Sequence, residues 1–364
     1  MRCVIAGGGT GGHLFPGIAI AEAFSEREMG NEVLFIGTER GIEVRVLTGE
    51  KFLLRTISAK PFKGKSLSGK AEAVWSIPRA ISEALSILRD FRPAFVLGVG
   101  GYASGPALLA ATLLGMKRAV HEQNMVPGMT NRLLKWFSHR FFVSFEETKQ
   151  YFPERRTFVT GNPVRKEILA YLEAGKEAVR KKKEGRFTLL VFGGSAGAHR
   201  INEAMTGALD QLRRIRYALK IYHQTGRGDV ESVSKHYQEK GFDAVVSPFF
   251  KDMATCYQLS DLVICRSGAS TLTELAVCGK AAILIPYPHA AHQHQYLNAK
   301  KLVDMGAARM IRDEALDGPS LAKIILEIQS HPEEIERMAK AIRGVARPGA
   351  AQEIVDYCYA LARH

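Results

Sequence analysis

The sequence predicts an α/β protein built from two doubly wound, Rossmann-like parallel-sheet domains facing each other across a cleft. Three observations carry this expectation. A strand running into a glycine cluster and then an amphipathic helix occurs twice, as VIAGGGTGGH from Val4 to His13 and as LVFGGSAGAH from Leu190 to His199. At 364 residues the chain is long enough for two separate cores. Strands and helices alternate throughout, the rhythm of a parallel sheet whose ligands sit at the carboxyl ends of its strands.

In the first half, strands are expected at 1–6, 32–37, 95–99 and 118–122, with helices at 16–26 and 80–89. The segment GNPVR, Gly161 to Arg165, ends this unit, which gives a first domain of residues 1–163. A basic, low-complexity stretch at 176–186 follows, and strands restart at 187–192, 219–224, 244–247, 262–265 and 281–285 within a second domain of residues 164–344. The tail at 350–361 places Ile354, Val355, Cys358 and Leu361 on one helical side. That pattern predicts a segment, 345–364, that crosses back onto the first domain.

Composition narrows the class. With 46% hydrophobic and 24% charged residues the chain is globular rather than disordered. Its 50 basic against 37 acidic residues give a net charge of +13, which implies an anionic partner: nucleic acid, an acidic lipid surface or phosphorylated substrates. A recognition helix or an aromatic strand motif for nucleic acid is not evident, so nucleic acid is not expected. The five cysteines lie mostly in apolar runs and never as CxxC, which points to reduced core thiols in a cytoplasmic protein rather than to zinc. A strand already under way at Arg2 leaves no room for a signal peptide. Residues 93–116 carry no charge and are long enough to span a bilayer. However, Gly98, Gly100, Gly101, Gly105, Pro106 and Gly115 divide them into a strand, a loop and a buried helix.

The glycine loops point backbone N–H groups and a helix N-terminus at an anion. Gly7, Gly9 and Gly12 also satisfy the dinucleotide fingerprint, but the acidic residue which that site requires at the end of the second strand is missing, because Glu39 comes too late. His13, at the mouth of the first helix beside Thr10, Gly11 and Gly12, is a candidate general base, or else a helix-start histidine bonded to backbone. The loop holding Gly100, Gly101, Tyr102 and Ser104 offers a second anion site. His121, Glu122, Gln123 and Asn124 end another strand on the ligand edge, and Glu122 is an alternative base. In the second half, Arg266 to Glu274 opens a helix with small and hydroxyl residues suited to a phosphate or sugar, with Glu274 placed to accept from a ribose diol. His292 to Gln295 adds hydrogen-bonding side chains, and His289, His292 and His294 raise a metal site against sugar binding. From Lys60 to Arg92 seven basic residues oppose three acidic ones, and Phe62, Leu67 and Trp75 among them suit docking on an anionic membrane surface.

Seven segments in one order, GGGTGGHLFPGIAIAE, GVGGYASGP, HEQN with GMTNRLL, GNPVR, GGSAGA, CRSGASTLTELAVCGK and HQYLNA, span essentially the whole chain. Together they resemble the MurG family of glycosyltransferases. The resemblance implies a fold of the GT-B type and an inverting transfer of N-acetylglucosamine from UDP-N-acetylglucosamine to the 4-hydroxyl of a polyprenyl-pyrophosphate-linked muramyl pentapeptide. It implies that Ser195 and its loop, with Thr10, Gly11 and Gly12, contact the diphosphate. By the same resemblance the backbone amide of Phe250 reads uracil, and Ala269, Ser270, Thr271, Leu272, Thr273 and Glu274 surround phosphates and ribose. Asn124, Arg165 and Gln295 match donor-binding positions, and His13 matches the base. Ala196 stands where relatives often carry a longer polar residue, so a side-chain contact is lost there. No Asp-x-Asp pair ends a strand on the ligand edge, so no cofactor and no tightly held metal are expected. The expected location is peripheral, on the cytoplasmic face of the cell membrane.

Overall fold

A computed structural model describes residues 1–39, 42–47, 52–59, 67–170 and 185–363. By contact the chain divides into two compact units, Met1–Arg165 together with Arg347–His364, and Lys166–Ala346.

The first unit holds a seven-stranded sheet of β1 (Arg2–Gly7), β2 (Glu32–Thr38), β3 (Leu53–Ile57), β4 (Phe95–Gly100), β5 (Lys117–Glu122), β6 (Arg140–Val143) and β7 (Thr157–Val159). The strand order is β3-β2-β1-β4-β5-β6-β7 and every pairing is parallel. In register, Ile5 faces Phe35 on one side and Leu97 on the other. Cys3, Ile5, Val33, Phe35, Leu97 and Val99 enter one core, and Val4, Ala6, Leu34, Ile36 and Val96 enter the other. Both faces are apolar because helices cover both, as parallel sheets require. The order reverses between β1 and β4, which opens a crevice at the carboxyl ends of those two strands.

The second unit repeats this plan with β8 (Phe187–Phe192), β9 (Leu219–Gln224), β10 (Asp243–Ser247), β11 (Leu262–Cys265), β12 (Ala281–Leu284) and β13 (Arg309–Met310). The order β10-β9-β8-β11-β12-β13 reverses between β8 and β11. Each glycine loop thus leaves the strand at its own sheet's switch point.

Strands β3, β6, β7 and β13 were not among the expected elements. They have two to five residues each, too few to show a period, and the edge strand β3 is mostly solvent-facing. Strand β13 also means that the strand near 281–285 is not the last. Two helices start earlier than expected, at Gly11 and Leu67, with Pro16 and Pro78 inside them. Each proline withholds one N–H from the ladder, and around Pro16 the buried Leu14, Ile18 and Ile20 carry the helix through it. The uncharged stretch 93–116 forms β4 and the helix Ser104–Leu113. Among the described residues no helix is long and apolar enough to cross a membrane. All five cysteines are free and buried. The basic stretch at 176–186 lies outside the described residues up to 184.

The helix Ala350–Arg363 packs on the helix Gly11–Arg27, and Ile354, Val355, Cys358, Tyr359 and Leu361 share a core with β1 and β4. Tyr359 meets the Phe24 ring at 5.6 Å and Tyr357 meets Phe158 at 4.1 Å. Asn31 donates to the Tyr359 hydroxyl at 2.6 Å, and Arg27 pairs with Asp356 at 2.6 Å. The exposed ion pair adds little, whereas buried Ile354 carries weight. Ile354→Ala is expected to cost about 2–5 kcal/mol, read as a fall of about 5–15 °C in the melting of the first unit; an unchanged transition would show that the tail is dispensable.

Candidate functional site

In the first unit two loops predicted separately form one structure. Gly7 of β1 pairs with Gly100 of β4, and the Gly8 amide donates to the Gly100 carbonyl at 3.2 Å. A Cβ on Gly7 would strike the Gly100 carbonyl, and one on Gly101 would strike the Gly8 carbonyl. Both glycines have positive φ, so the residue type is dictated twice over. The Tyr102 ring lies beside Gly9, where a Cβ would sit 3.6 Å away. Ser104, expected to face an anion, instead buries its hydroxyl with no hydrogen-bond partner, against Gly98. Gly98 has no side chain to hold it off.

Glu43 escaped the sequence reading. It is 1% exposed, and its carboxylate accepts from the amides of Gly9 and Thr38, each at 2.8 Å. In dinucleotide folds an acid near the end of the second strand binds ribose hydroxyls; here the acid is spent on the protein's own donors. Gly8 and Gly37 make room for it, since a Cβ on either would come within 2.6 Å of its side chain. Those two glycines were its only trace in the sequence.

His13 is half-buried, with Nδ1 3.0 Å from the Gln123 side-chain oxygen Oε1. The Gln123 side-chain nitrogen Nε2 donates to the Val99 carbonyl at 2.8 Å and lies 3.1 Å from His121 Nδ1. His121 Nε2 reaches the Gly161 carbonyl at 3.2 Å. Glu122 has a different part. It is 2% exposed, and one oxygen accepts from the Asn124 amide and side chain while the other accepts from the Gly128 amide and the Asn131 side chain. Four donors on one buried carboxylate leave no lone pair directed outward for a substrate proton. The alternative base is therefore corrected to a brace that orders the loop carrying Asn124. Arg165, placed by the sequence just inside the second domain, belongs to the first unit, stacked 4.7 Å over Phe15, a residue two positions from His13 on the helix Gly11–Arg27.

The second glycine loop is held from behind. A Cβ on Gly197 would strike the Thr225 carbonyl, and the Gln224 side chain donates to the Gly194 carbonyl at 2.9 Å while accepting from the Phe250 amide at 2.8 Å. Ser195 is left exposed at the tip. Beneath it, buried His223 bonds Tyr237 and Asn202, and Asn202 donates to the Thr225 carbonyl and to Asp229. Among the residues expected around the ribose, Leu272 is corrected to a core position: its side chain is buried and its amide donates to the Gly268 carbonyl. The Thr273 hydroxyl bonds back to the Ala269 carbonyl at 2.9 Å. Glu274 is buried rather than solvated and accepts from Tyr257 at 3.0 Å. Ser270 and Thr271 remain half-exposed in the first turn of the helix Ala269–Cys278, which has no side-chain cap. The Gln295 oxygen accepts from the Tyr287 amide at 2.9 Å, which orients its nitrogen away from that amide. Among the described residues no three His, Cys, Asp or Glu side chains are placed to hold a metal.

Of the expected surface patch, Trp75 is 83% exposed, Leu67 begins the helix Leu67–Phe91, and Phe62 lies outside the described residues. The sequence reading missed Met129, Leu133 and Trp136, also exposed, with the Lys135 ammonium 4.9 Å from the Trp136 ring.

Burial holds His121 down to about 4 and His223 down to about 3, from an ordinary 6.5. When unfolded, both imidazoles take up a proton below that ordinary value, whereas folded they stay neutral. The unfolded state then binds more protons, so stability is lost as the pH falls from 6.5 toward 4. At pH 5 each histidine accounts for about 2 kcal/mol of that loss. The melting temperature should drop between pH 7 and pH 5, with a shallower drop in His223→Gln; equal slopes would remove His223 from the account.

The family model for the glycosyltransferase family 28 N-terminal domain matches residues 3–143, and that for its C-terminal domain matches residues 188–354. A UDP-N-acetylglucosamine–N-acetylmuramyl-(pentapeptide) pyrophosphoryl-undecaprenol N-acetylglucosamine transferase of Myxococcus xanthus is 47% identical over 98% of this chain and 92% of its own. The enzyme of the same description from Geotalea daltonii is 49% identical over 98% and 96%. The crystal structure of MurG from Acinetobacter baumannii superposes with a TM-score of 0.78 at 30% identity, covering 99% of both chains. A UDP-GlcNAc 2-epimerase from Neisseria meningitidis, at TM-score 0.71 and 16% identity, shares the fold. The two Rossmann-like units, their paired switch-point loops and this near full-length identity place the chain in glycosyltransferase family 28, within its MurG group.

Proposed function

We propose that this chain is an inverting transferase that moves N-acetylglucosamine from UDP-N-acetylglucosamine to the 4-hydroxyl of the muramyl unit of undecaprenyl-pyrophosphoryl-MurNAc-pentapeptide, converting lipid I to lipid II. The observation that carries this reading is His13 on the ligand edge of the first unit, bonded through Nδ1 alone among the described residues, in a chain nearly half identical to transferases of that description.

The second unit holds the donor. The exposed Ser195 loop and the N-terminus of the helix His199–Gly207 take the diphosphate, Ser270 and Thr271 take phosphate or ribose, and the Gln295 amide takes the sugar. The Phe250 amide reads uracil by exchanging its bond to Gln224. From the first unit come Thr10, Gly11, Gly12, Asn124 and Arg165, and the loop of Gly100, Gly101 and Tyr102 faces the acceptor's pyrophosphate. The muramyl oxygen forms a bond to the anomeric carbon while the carbon–oxygen bond to UDP breaks on the opposite face. The electron pair leaves on the diphosphate, where loop amides and the helix dipole stabilise it. The hydroxyl proton passes to His13, a step worth about 10²–10⁴-fold in rate. These amide and dipole donors supply the charge stabilisation with no metal.

The test is transfer to a lipid-linked muramyl pentapeptide, followed by mass analysis of the lipid. Acceptor-dependent UDP release with one added N-acetylhexosamine is expected, undiminished by EDTA, and His13→Ala should keep UDP binding while losing about 10²-fold or more in turnover. An isomerised sugar nucleotide formed without acceptor would replace the transferase reading with an epimerase one. Full turnover in His13→Ala would remove the base, and magnesium-restored loss in EDTA would require a metal.

The chain docks peripherally on the anionic cytoplasmic face of the membrane through Trp75, with Phe62 and Leu67, joined by Leu133 and Trp136. Aromatic and basic side chains together favour such a surface. Trp75→Ala with Trp136→Ala should lower co-sedimentation with anionic vesicles while leaving melting unchanged; equal binding would exclude this face.

A further inference from the structure

We propose that Gln123 and His121 are positioning residues that fix the His13 ring as its Nδ1–H tautomer, so that Nε2 is the nitrogen that receives the acceptor's proton. The proposal deepens the transferase reading and rests on it for the base role of His13, although the tautomer itself is a property of the protein without substrates.

Two backbone carbonyls force every link in the chain. The Val99 carbonyl can only accept, so the group of Gln123 at 2.8 Å from it must be the amide nitrogen; a flipped side chain would set two oxygens against each other. The Gly161 carbonyl can likewise only accept, so His121 carries its proton on Nε2, 3.2 Å away. His121 is fully buried and held neutral, so its Nδ1 presents a lone pair. That lone pair accepts the second amide proton of Gln123 at 3.1 Å. Both amide protons are then spent, and the Gln123 oxygen, 3.0 Å from His13 Nδ1, has only an acceptor's role left. His13 must donate there.

The ring is also seated mechanically. A Cβ on Gly100 would lie 2.8 Å from His13 Nδ1, so the ring edge rests directly on backbone and the glycine at 100 is what admits it. Neutral imidazole in water prefers the opposite tautomer, with the proton on Nε2. Left alone, His13 would spend most of its time with the wrong nitrogen protonated. An amide corrects this without adding charge, whereas a carboxylate at the same place would also favour the imidazolium. The wrong tautomer is costly wherever a histidine serves as base, because the reacting nitrogen then has no lone pair to offer.

The experiment uses the full chain labelled with ¹⁵N-histidine, at a pH where the ring is neutral, with the His13 signals assigned from their loss in His13→Gln. Two-bond proton–nitrogen correlations should show a protonated Nδ1 and an unprotonated Nε2. Gln123→Met, close in volume but without donor or acceptor, should shift the signals toward the Nε2–H form. It should also lower kcat by about 10–100-fold with the donor KM unchanged. An Nε2–H ring in the unaltered protein, or an Nδ1–H ring retained in Gln123→Met, overturns the proposal. Should Gln123→Met fail to fold, the spectrum of the unaltered protein decides. An Nδ1–H ring in a protein that transfers no sugar would leave the relay standing and sink the transferase reading instead.

Discussion

Backbone passes backbone at the carboxyl end of β1 so closely that only glycine fits, and the chemistry of the first unit depends on that approach. Gly7 and Gly8 lie against Gly100 and Gly101, and the same Gly100 seats the imidazole of His13. A sheet whose strand order reverses must open a crevice at that point. Here the glycines close the two rims of the crevice enough to lock His13 beside β4 and β5. Any side chain at Gly7 or Gly101 would part the loops and take His13 away from Gln123.

The two glycine loops share a sequence pattern but have different neighbours. The first is knitted across its switch point to β4 and is backed by the buried carboxylate of Glu43, which already accepts the Gly9 amide. The second is tied to the end of β9, away from its switch point, with the Gln224 side chain holding the Gly194 carbonyl and the Asp229 carboxylate bonded to Asn202 and His199. A carboxylate beneath a loop opposes an anion above it. Each loop also has a buried histidine behind it, bonded to a side-chain amide that a backbone carbonyl orients: His121 with Gln123, and His223 with Asn202. Buried polar groups of this kind are costly unless every bond is made. Fully bonded, they brace the loops with imidazoles that burial keeps neutral.

Much of this was legible in the chain itself. Each glycine loop announced itself by residue type, because positive φ and close approach admit nothing else. Long buried strands announced themselves as apolar runs; β8, β9 and β11 fall where the pattern put them. The period failed where elements are too short to show one, as at β13, and where burial overrode a proline, as at Pro16. Site residues were found when their neighbours in sequence were also their neighbours in space, as with His121 to Asn124. Glu43, which reaches Gly9 from a separate helix, left no local mark.

What the sequence determined by itself was therefore the architecture and the family: paired switch-point loops, βαβ order, and motifs specific enough to identify the chemistry. Only the tertiary structure decided which polar side chains are available. Glu122 and Leu272 carry the right residue types in the right segments, yet one is saturated by four donors and the other lies in the core. Availability depends on where hydrogen bonds are already spent, and in a packed protein their partners come from residues distant in sequence. Glu122 could not be set aside as a base until its four donors were known.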